Sequence, residues 1–142
     1  MEIKNKKAYF DYFVEEELEC GIELKGTEIK SIRNGSANLK DSYAIIRNNE
    51  VFVLNLFIGK YEEGNQFNHD ERRTRKLLLH KSEIKKLANY VERDGYSLVP
   101  LRMYFKDSKL KLALGLCRGK KLYDKRETIK QRDLEREARY HV

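Results

Sequence analysis

The chain has no tryptophan, a single proline, only two cysteines and no long apolar run in its 142 residues. Cys20 and Cys117 lie far apart and outside any CxxC pattern, which speaks against a disulfide framework or a zinc site and for two semi-buried thiols. His69, His80 and His141 show neither HxxxH nor HxH spacing, so no metal or other cofactor is expected. No stretch approaches the roughly 20 apolar residues of a membrane span. Met1 to Lys7 is basic with no apolar stretch after it, unlike a signal peptide; a soluble, cytoplasmic protein without a membrane partner is the expectation. P-loop, Rossmann glycine and nucleophile-elbow patterns are also missing, and no catalytic residue is expected. The remaining enzyme candidates are Glu15, Glu16, Glu17 and Glu19 near an expected turn, and His69-Asp70-Glu71. In a basic chain such clusters are far more often solvated turns than acid–base pairs.

Charge is abundant. Thirty Lys and Arg against 23 Asp and Glu leave a net charge of +7. A basic surface attracts phosphate polyanions by Coulomb force and counterion release, and no long amphipathic basic helix suggests membrane instead. Residues 118–142 hold nine Lys/Arg and five Asp/Glu, more than half of the net charge.

The chain divides into one body, 1–117, and a polar tail, 118–142, of a length that suits a single domain. Ala8 to Val14, rich in aromatics, predicts a first strand, and alternation over Gly21 to Lys25 a second. Thr27 and Gly35 are N-cap and stop signals for a helix with Ile29 and Ile32 inward and Lys30 and Arg33 outward. Ser42 to Arg47 and Glu50 to Asn55 predict a hairpin turning at Asn48-Asn49. Phe57 to Arg75 reads as a long loop. Ile84, Leu87, Ala88 and Val91 mark a helix from Ser82 to Asp94, ended by Gly95. Tyr96 to Phe105 and Lys109 to Arg118 predict a second hairpin, with Leu110, Leu112, Leu114 and Leu116 on one buried face and Pro100 at an edge or bulge. Strands and helices in this order predict a mainly β protein with two or three inserted helices, an OB-like antiparallel barrel, followed by a flexible tail. The tail is too poor in apolar residues to fold alone, yet its helix formers and i, i+3 or i, i+4 charge pairs suit it to become helical on a charged partner.

Two basic blocks point to nucleic acid. Arg72-Arg73-Thr74-Arg75-Lys76 precedes the apolar anchor Leu77-Leu78-Leu79, and a solvated loop explains that run equally well. Gly119-Lys120-Lys121-Leu122-Tyr123-Asp124-Lys125-Arg126 surrounds an aromatic able to stack on a base, against a fraying charged tail as the alternative. Of Tyr9, Phe10, Tyr12 and Phe13, alternation on a strand would send two into the core and two outward.

At these motifs the sequence resembles the SsrA-binding protein (small protein B) family. The matches are 5–8, 11–16, 19–22, 24–33, 41–43, 74–79, 98–101 and the block from Gly119 to Arg126, in the family's order over nearly the whole chain. The resemblance implies an OB-like barrel and a monomer without catalytic activity. It implies binding to the tRNA-like domain of tmRNA and delivery of that RNA to the empty acceptor site of a stalled ribosome, at the small-subunit decoding centre. The nascent chain is then tagged and the ribosome released. By position, Asn5, Tyr12, Glu19, Lys76 and Leu78 match residues that support tmRNA binding, to which the residue reading adds Lys30, Arg33, Arg73 and Arg75. Gly119, Lys120, Lys121, Asp124, Lys125 and Arg126 match the tail block that works on the ribosome. Tyr123 stands where the family usually has histidine; it keeps a stacking plane but cannot become cationic. A general single-stranded nucleic-acid binder and a small nuclease using Glu15, Glu19 or His69 are the competing readings.

Overall fold

Strict alternation of Leu110, Leu112, Leu114 and Leu116 commits one strand face to the interior, and all four are at most 8% exposed. The computed structural model of the chain describes residues 2–120. Its elements in chain order are β1 (Glu2–Lys4), α1 (Lys6–Asp11), β2 (Tyr12–Ile22), α2 (Gly26–Arg33), β3 (Ala37–Asn38), β4 (Tyr43–Arg47), β5 (Glu50–Leu54) and β6 (Phe57–Ile58). A 3-10 helix (Glu62–Phe67), β7 (Arg75–Leu78), α3 (Lys81–Asp94), β8 (Ser97–Lys106) and β9 (Lys109–Gly119) complete the order. The protein is mainly β with three α-helices among the described residues.

One seven-stranded sheet runs β1-β8-β4-β5-β7-β2-β9, and β9 pairs β8 as well. Every pairing is antiparallel. A separate pair, β3 with β6, lies beside it. The sheet packs against the main core, in which Ile32, Val51, Val53, Leu77, Leu87, Met103 and Leu112 are buried. Burying each such side chain contributes about 1.5–3 kcal/mol. A second cluster of Ala8, Val99, Leu101 and Cys117 covers the other face of β8 and β9 beneath α1, so 112–117 is buried on both faces.

Both hairpins turn where expected. Asn48 and Asn49 have φ of 53° and 62°, and Asp107 and Ser108 have 52° and 69°. Two successive positive φ values give the twist that antiparallel strands need. Pro100 sits at a register shift between Pro100 and Arg102, the bulge its missing N–H calls for. α3 carries Ile84 and Leu87 inward and stops at Gly95, φ 70°, but begins one residue early, with the Glu83 carboxylate accepting the His80 N–H at 3.0 Å.

Four expectations fail. The strand expected over 8–14 starts only at Tyr12: Lys6–Asp11 is helical because Asn5 accepts the Ala8 N–H at 3.1 Å and Ala8 needs burial. No separate strand forms at 21–25: Gly21 and Ile22 end a single long β2, and 23–25 lead into α2. Thr27 does not cap α2; Glu28 accepts the Lys25 N–H at 2.7 Å instead. The span 57–75 contains β6 and a 3-10 helix rather than loop alone. β9 runs one residue past the expected Arg118, to Gly119, and pairs these two with Phe13 and Tyr12.

Candidate nucleic-acid interface

Strand alternation positions the site. On β2, past the bulge between Val14 and Glu16, Glu17 and Glu19 face outward while Cys20 and Ile22 face inward. On β7, Arg75 and Leu77 are buried, while Lys76 is half-buried and Leu78 is 46% exposed. Register pairs Gly21 with Leu78. Leu78 lies against β2 over Gly21, where a Cβ would sit 3.4 Å from its Cδ1 in ordinary contact. Glu19, Leu78 and Lys76 therefore share one outward face on neighbouring strands.

Electrostatics keep this face charged. Glu19 accepts hydrogen bonds from the Tyr104 hydroxyl at 2.8 Å and from Lys106 at 3.4 Å. The bond from Tyr104 holds the Glu19 carboxyl below its usual range. Burial, then the bond to Glu19, pushes the Tyr104 hydroxyl up to about 12. Lys76 donates to Glu50 at 2.7 Å, and that bond raises its pKa. An ionised Glu19 is an acceptor for base amino groups or 2′-hydroxyls. Lys76 supplies positive charge, and Leu78 an apolar contact.

The rest of that surface is a lattice of ion pairs. Arg102 bridges Glu17 at 2.7 Å and Glu2 at 3.2 Å, and Arg118 meets Glu15 at 2.7 Å. Lys86 meets Glu16 at 2.9 Å. The four glutamates expected at a turn thus lie along β2, each with a cation. His69 is buried: its Nε2 donates to the Ile58 carbonyl at 2.9 Å, leaving Nδ1 to accept from the Thr27 hydroxyl at 2.8 Å. A histidine with both nitrogens committed has none left for acid–base work.

Other expected residues separate. Asn5 is 4% exposed, donates to Leu39 O at 3.1 Å and Pro100 O at 2.9 Å, and caps α1; it positions rather than contacts. Tyr12 is half-buried against the cluster under α1. It lies seven residues from Glu19, about 23 Å along the strand. Lys30 and Arg33 are outward on α2 as expected, stacked over Tyr61 at 5.5 Å and Phe105 at 4.4 Å. Arg75 has no exposed surface; its guanidinium donates to Glu28 at 2.6 Å, Leu56 O at 2.7 Å and Glu71 O at 3.1 Å. It cannot reach a phosphate, so the expected RNA contact there fails. Arg73 forks onto Glu28 at 2.9 and 2.8 Å and is largely committed.

Glu28 went unrecognised in the sequence, although it forms one buried stripe of α2 with Ser31 and Ile32. Burial alone would push its carboxyl up, but bonds from Arg73, the Lys25 N–H and Arg75 prevail and hold it low. Both cysteines are fully buried rather than semi-buried, and burial pushes each thiol up to about 12. A groove of about 620 Å³ lies between α1, β4, α3 and β8. Asp11, Asp41 and Glu92 line it against Lys7 alone among cations, a poor lining for phosphate. Gly119 ends β9, and Lys120 donates to Tyr9 O at 3.3 Å. Lys121, Tyr123, Asp124, Lys125 and Arg126 lie outside the described residues.

Comparison with known proteins narrows what such a face serves. The model of the SmpB protein family matches residues 2–142. The SsrA-binding protein of Caldicellulosiruptor saccharolyticus is 59% identical over 95% of this chain and 85% of its own. That of Geotalea uraniireducens is 57% identical over 94% and 89%, and that of Bacillus mycoides 59% over 94% and 86%. A solved structure described as "tmRNA-SmpB: a journey to the center of the bacterial ribosome" superimposes with a TM-score of 0.74 at 45% identity, over 95% of both chains. The match runs through the sheet, the Glu19–Lys76–Leu78 face and the basic block at the C-terminal side, and the chain belongs to the SmpB protein family.

Proposed function

We propose that this chain binds the tRNA-like domain of tmRNA on the outward face of β2 and β7. It carries that RNA to the acceptor site of a stalled bacterial ribosome in the cytoplasm, where the nascent chain is tagged and the ribosome released. The observation that carries the reading is the joint presentation of Glu19, Lys76 and Leu78 on adjacent strands. Acceptor, cation and apolar contact there suit a folded RNA better than a bare phosphate track. The named relatives and the tmRNA-associated neighbour support it. Lys30 and Arg33 extend the basic surface; Asn5 and Tyr12 fix its far end.

The protein acts as a monomeric binding factor, not an enzyme. The pairing circuit β8-β4-β5-β7-β2-β9-β8 supports reading the sheet as an OB-like barrel. The tail works on the small subunit at the decoding centre, folding as a helix there, with Tyr123 as a stacking plane. Gly119 and Lys120 join that tail to the body.

A competition assay tests the reading. Labelled tmRNA is bound at fixed, stated salt and challenged with tRNA and with unstructured single-stranded RNA. Bound tmRNA should resist a large excess of both. Equal competition by single-stranded RNA would leave a general RNA-binding protein and remove the rescue function.

A further inference from the structure

Three of the large side chains exposed on this protein crowd into residues 9–13. Phe10 is 81% exposed, Tyr9 38% and Phe13 37%. On α1, Lys6, Tyr9 and Phe10 are spaced i, i+3 and i+4 and lie on one face, with Ala8 buried on the other. Phe13 follows at the start of β2, before its bulge, and the Lys120 ammonium sits 5.2 Å from its ring centroid. Lys120 also donates to Tyr9 O at 3.3 Å, tying both aromatics to the end of β9.

Cations flank this patch. Lys7 is neutralised by Asp41 at 3.0 Å and Asp11 at 3.6 Å. Lys6 and Lys120 form no ion pair among the described residues. An aromatic plane flanked by two ammonium groups suits an anionic polymer that carries flat rings. The patch lies at the opposite end of β2 from Glu19, beyond the bulge between Val14 and Glu16.

We infer that Phe10, framed by Tyr9, Phe13, Lys6 and Lys120, is a stacking platform for an unpaired nucleobase of the bound tmRNA. The inference rests on the proposed function. It adds to the Glu19–Lys76–Leu78 end a second contact near the other end of β2. The Phe10 ring takes the base face, and the ammonium groups take the adjoining phosphates. Any base can stack, so the platform selects an extruded nucleotide, not a sequence.

Because the chain contains no tryptophan, Phe10→Trp installs a single reporter. In the full-length protein, tmRNA should quench its fluorescence, while isolated small ribosomal subunits should not. Phe10→Ala and Phe10→Leu should each weaken tmRNA binding roughly tenfold and Phe10→Tyr about twofold or less, as removal and retention of a stacking plane require. Thermal unfolding should be unchanged in all of them, since the ring contributes little burial. Binding of tmRNA without quenching, or full affinity in Phe10→Leu, overturns the platform and leaves the proposed function standing. Quenching by the ribosomal subunit alone also overturns it. If the unaltered chain fails to bind tmRNA, both fall together.

Discussion

A carboxylate with no exposed surface is tolerated only when its lone pairs are filled, and Glu28 meets that condition with two guanidinium groups and a backbone N–H. Glu28→Gln would leave Arg73 and Arg75 facing an amide that bears no charge. We expect a loss of about 3 kcal/mol in unfolding free energy by denaturant titration, the scale for breaking a buried pair. The sign of the pH effect is fixed. A carboxyl held below its ordinary 4.5 stabilises the fold fully above that value and progressively less as pH falls through its lowered pKa. The gap between wild type and Glu28→Gln should therefore narrow in acid; a constant gap would show that the carboxylate charge is not what matters. Ser31, next on the same stripe, has a buried hydroxyl without a hydrogen-bond partner. Ser31→Ala should leave stability unchanged or raise it by about 1 kcal/mol, and a clear loss would reveal a bond to water. At this scale the sequence was partly legible. The outward placement of Lys30 and Arg33 followed from helical spacing. Arg75 did not follow from its charge run, because five consecutive polar residues conceal alternation. Only β7 itself, with Leu77 inward, reveals that Arg75 is inward too.

At the scale of elements, what could be read was whatever carried its own local chemistry. Asn48-Asn49, Gly95, Pro100 and the leucine alternation of β9 each announced a turn, a stop, a bulge or a buried face. α1 announced nothing, since aromatic residues favour strands and only the tertiary anchor at Asn5 makes six residues helical. β9 also shows how tightly the layer beneath α1 is packed. A Cβ on Gly115 would lie 2.6 Å from Leu101 Cδ1 and 3.0 Å from Cys117 Sγ. Gly115→Ala should cost about 1–3 kcal/mol by overpacking. Leu101→Ala opens a cavity and destabilises alone, yet in the Gly115→Ala background it also removes the clash. The double mutant should then be more stable than the sum of the two single losses predicts, by about 1 kcal/mol in a double-mutant cycle. Strict additivity would mean that Leu101 is not the obstacle.

For the whole molecule, the distribution of charge separates two tasks. The last 25 residues hold more than half of the net charge of +7, whereas the cations beside Glu19 on the body, Lys76, Arg102 and Lys106, are already paired with carboxylates. A protein that gripped tmRNA mainly by electrostatics would use its tail; one that gripped it through a patterned face would not. Stopping the chain after Lys120 preserves β9 and its pairing with Tyr12 and Phe13, so the truncation tests function and not folding. The shortened chain should bind tmRNA within about threefold of the full protein and keep the same slope of log affinity against log salt, because no phosphate contacts are lost. Tagging on stalled ribosomes should disappear. A slope shallower by about one for each lost phosphate contact would mean that the tail grips tmRNA, joining in one surface the two tasks that the body and tail are proposed to divide.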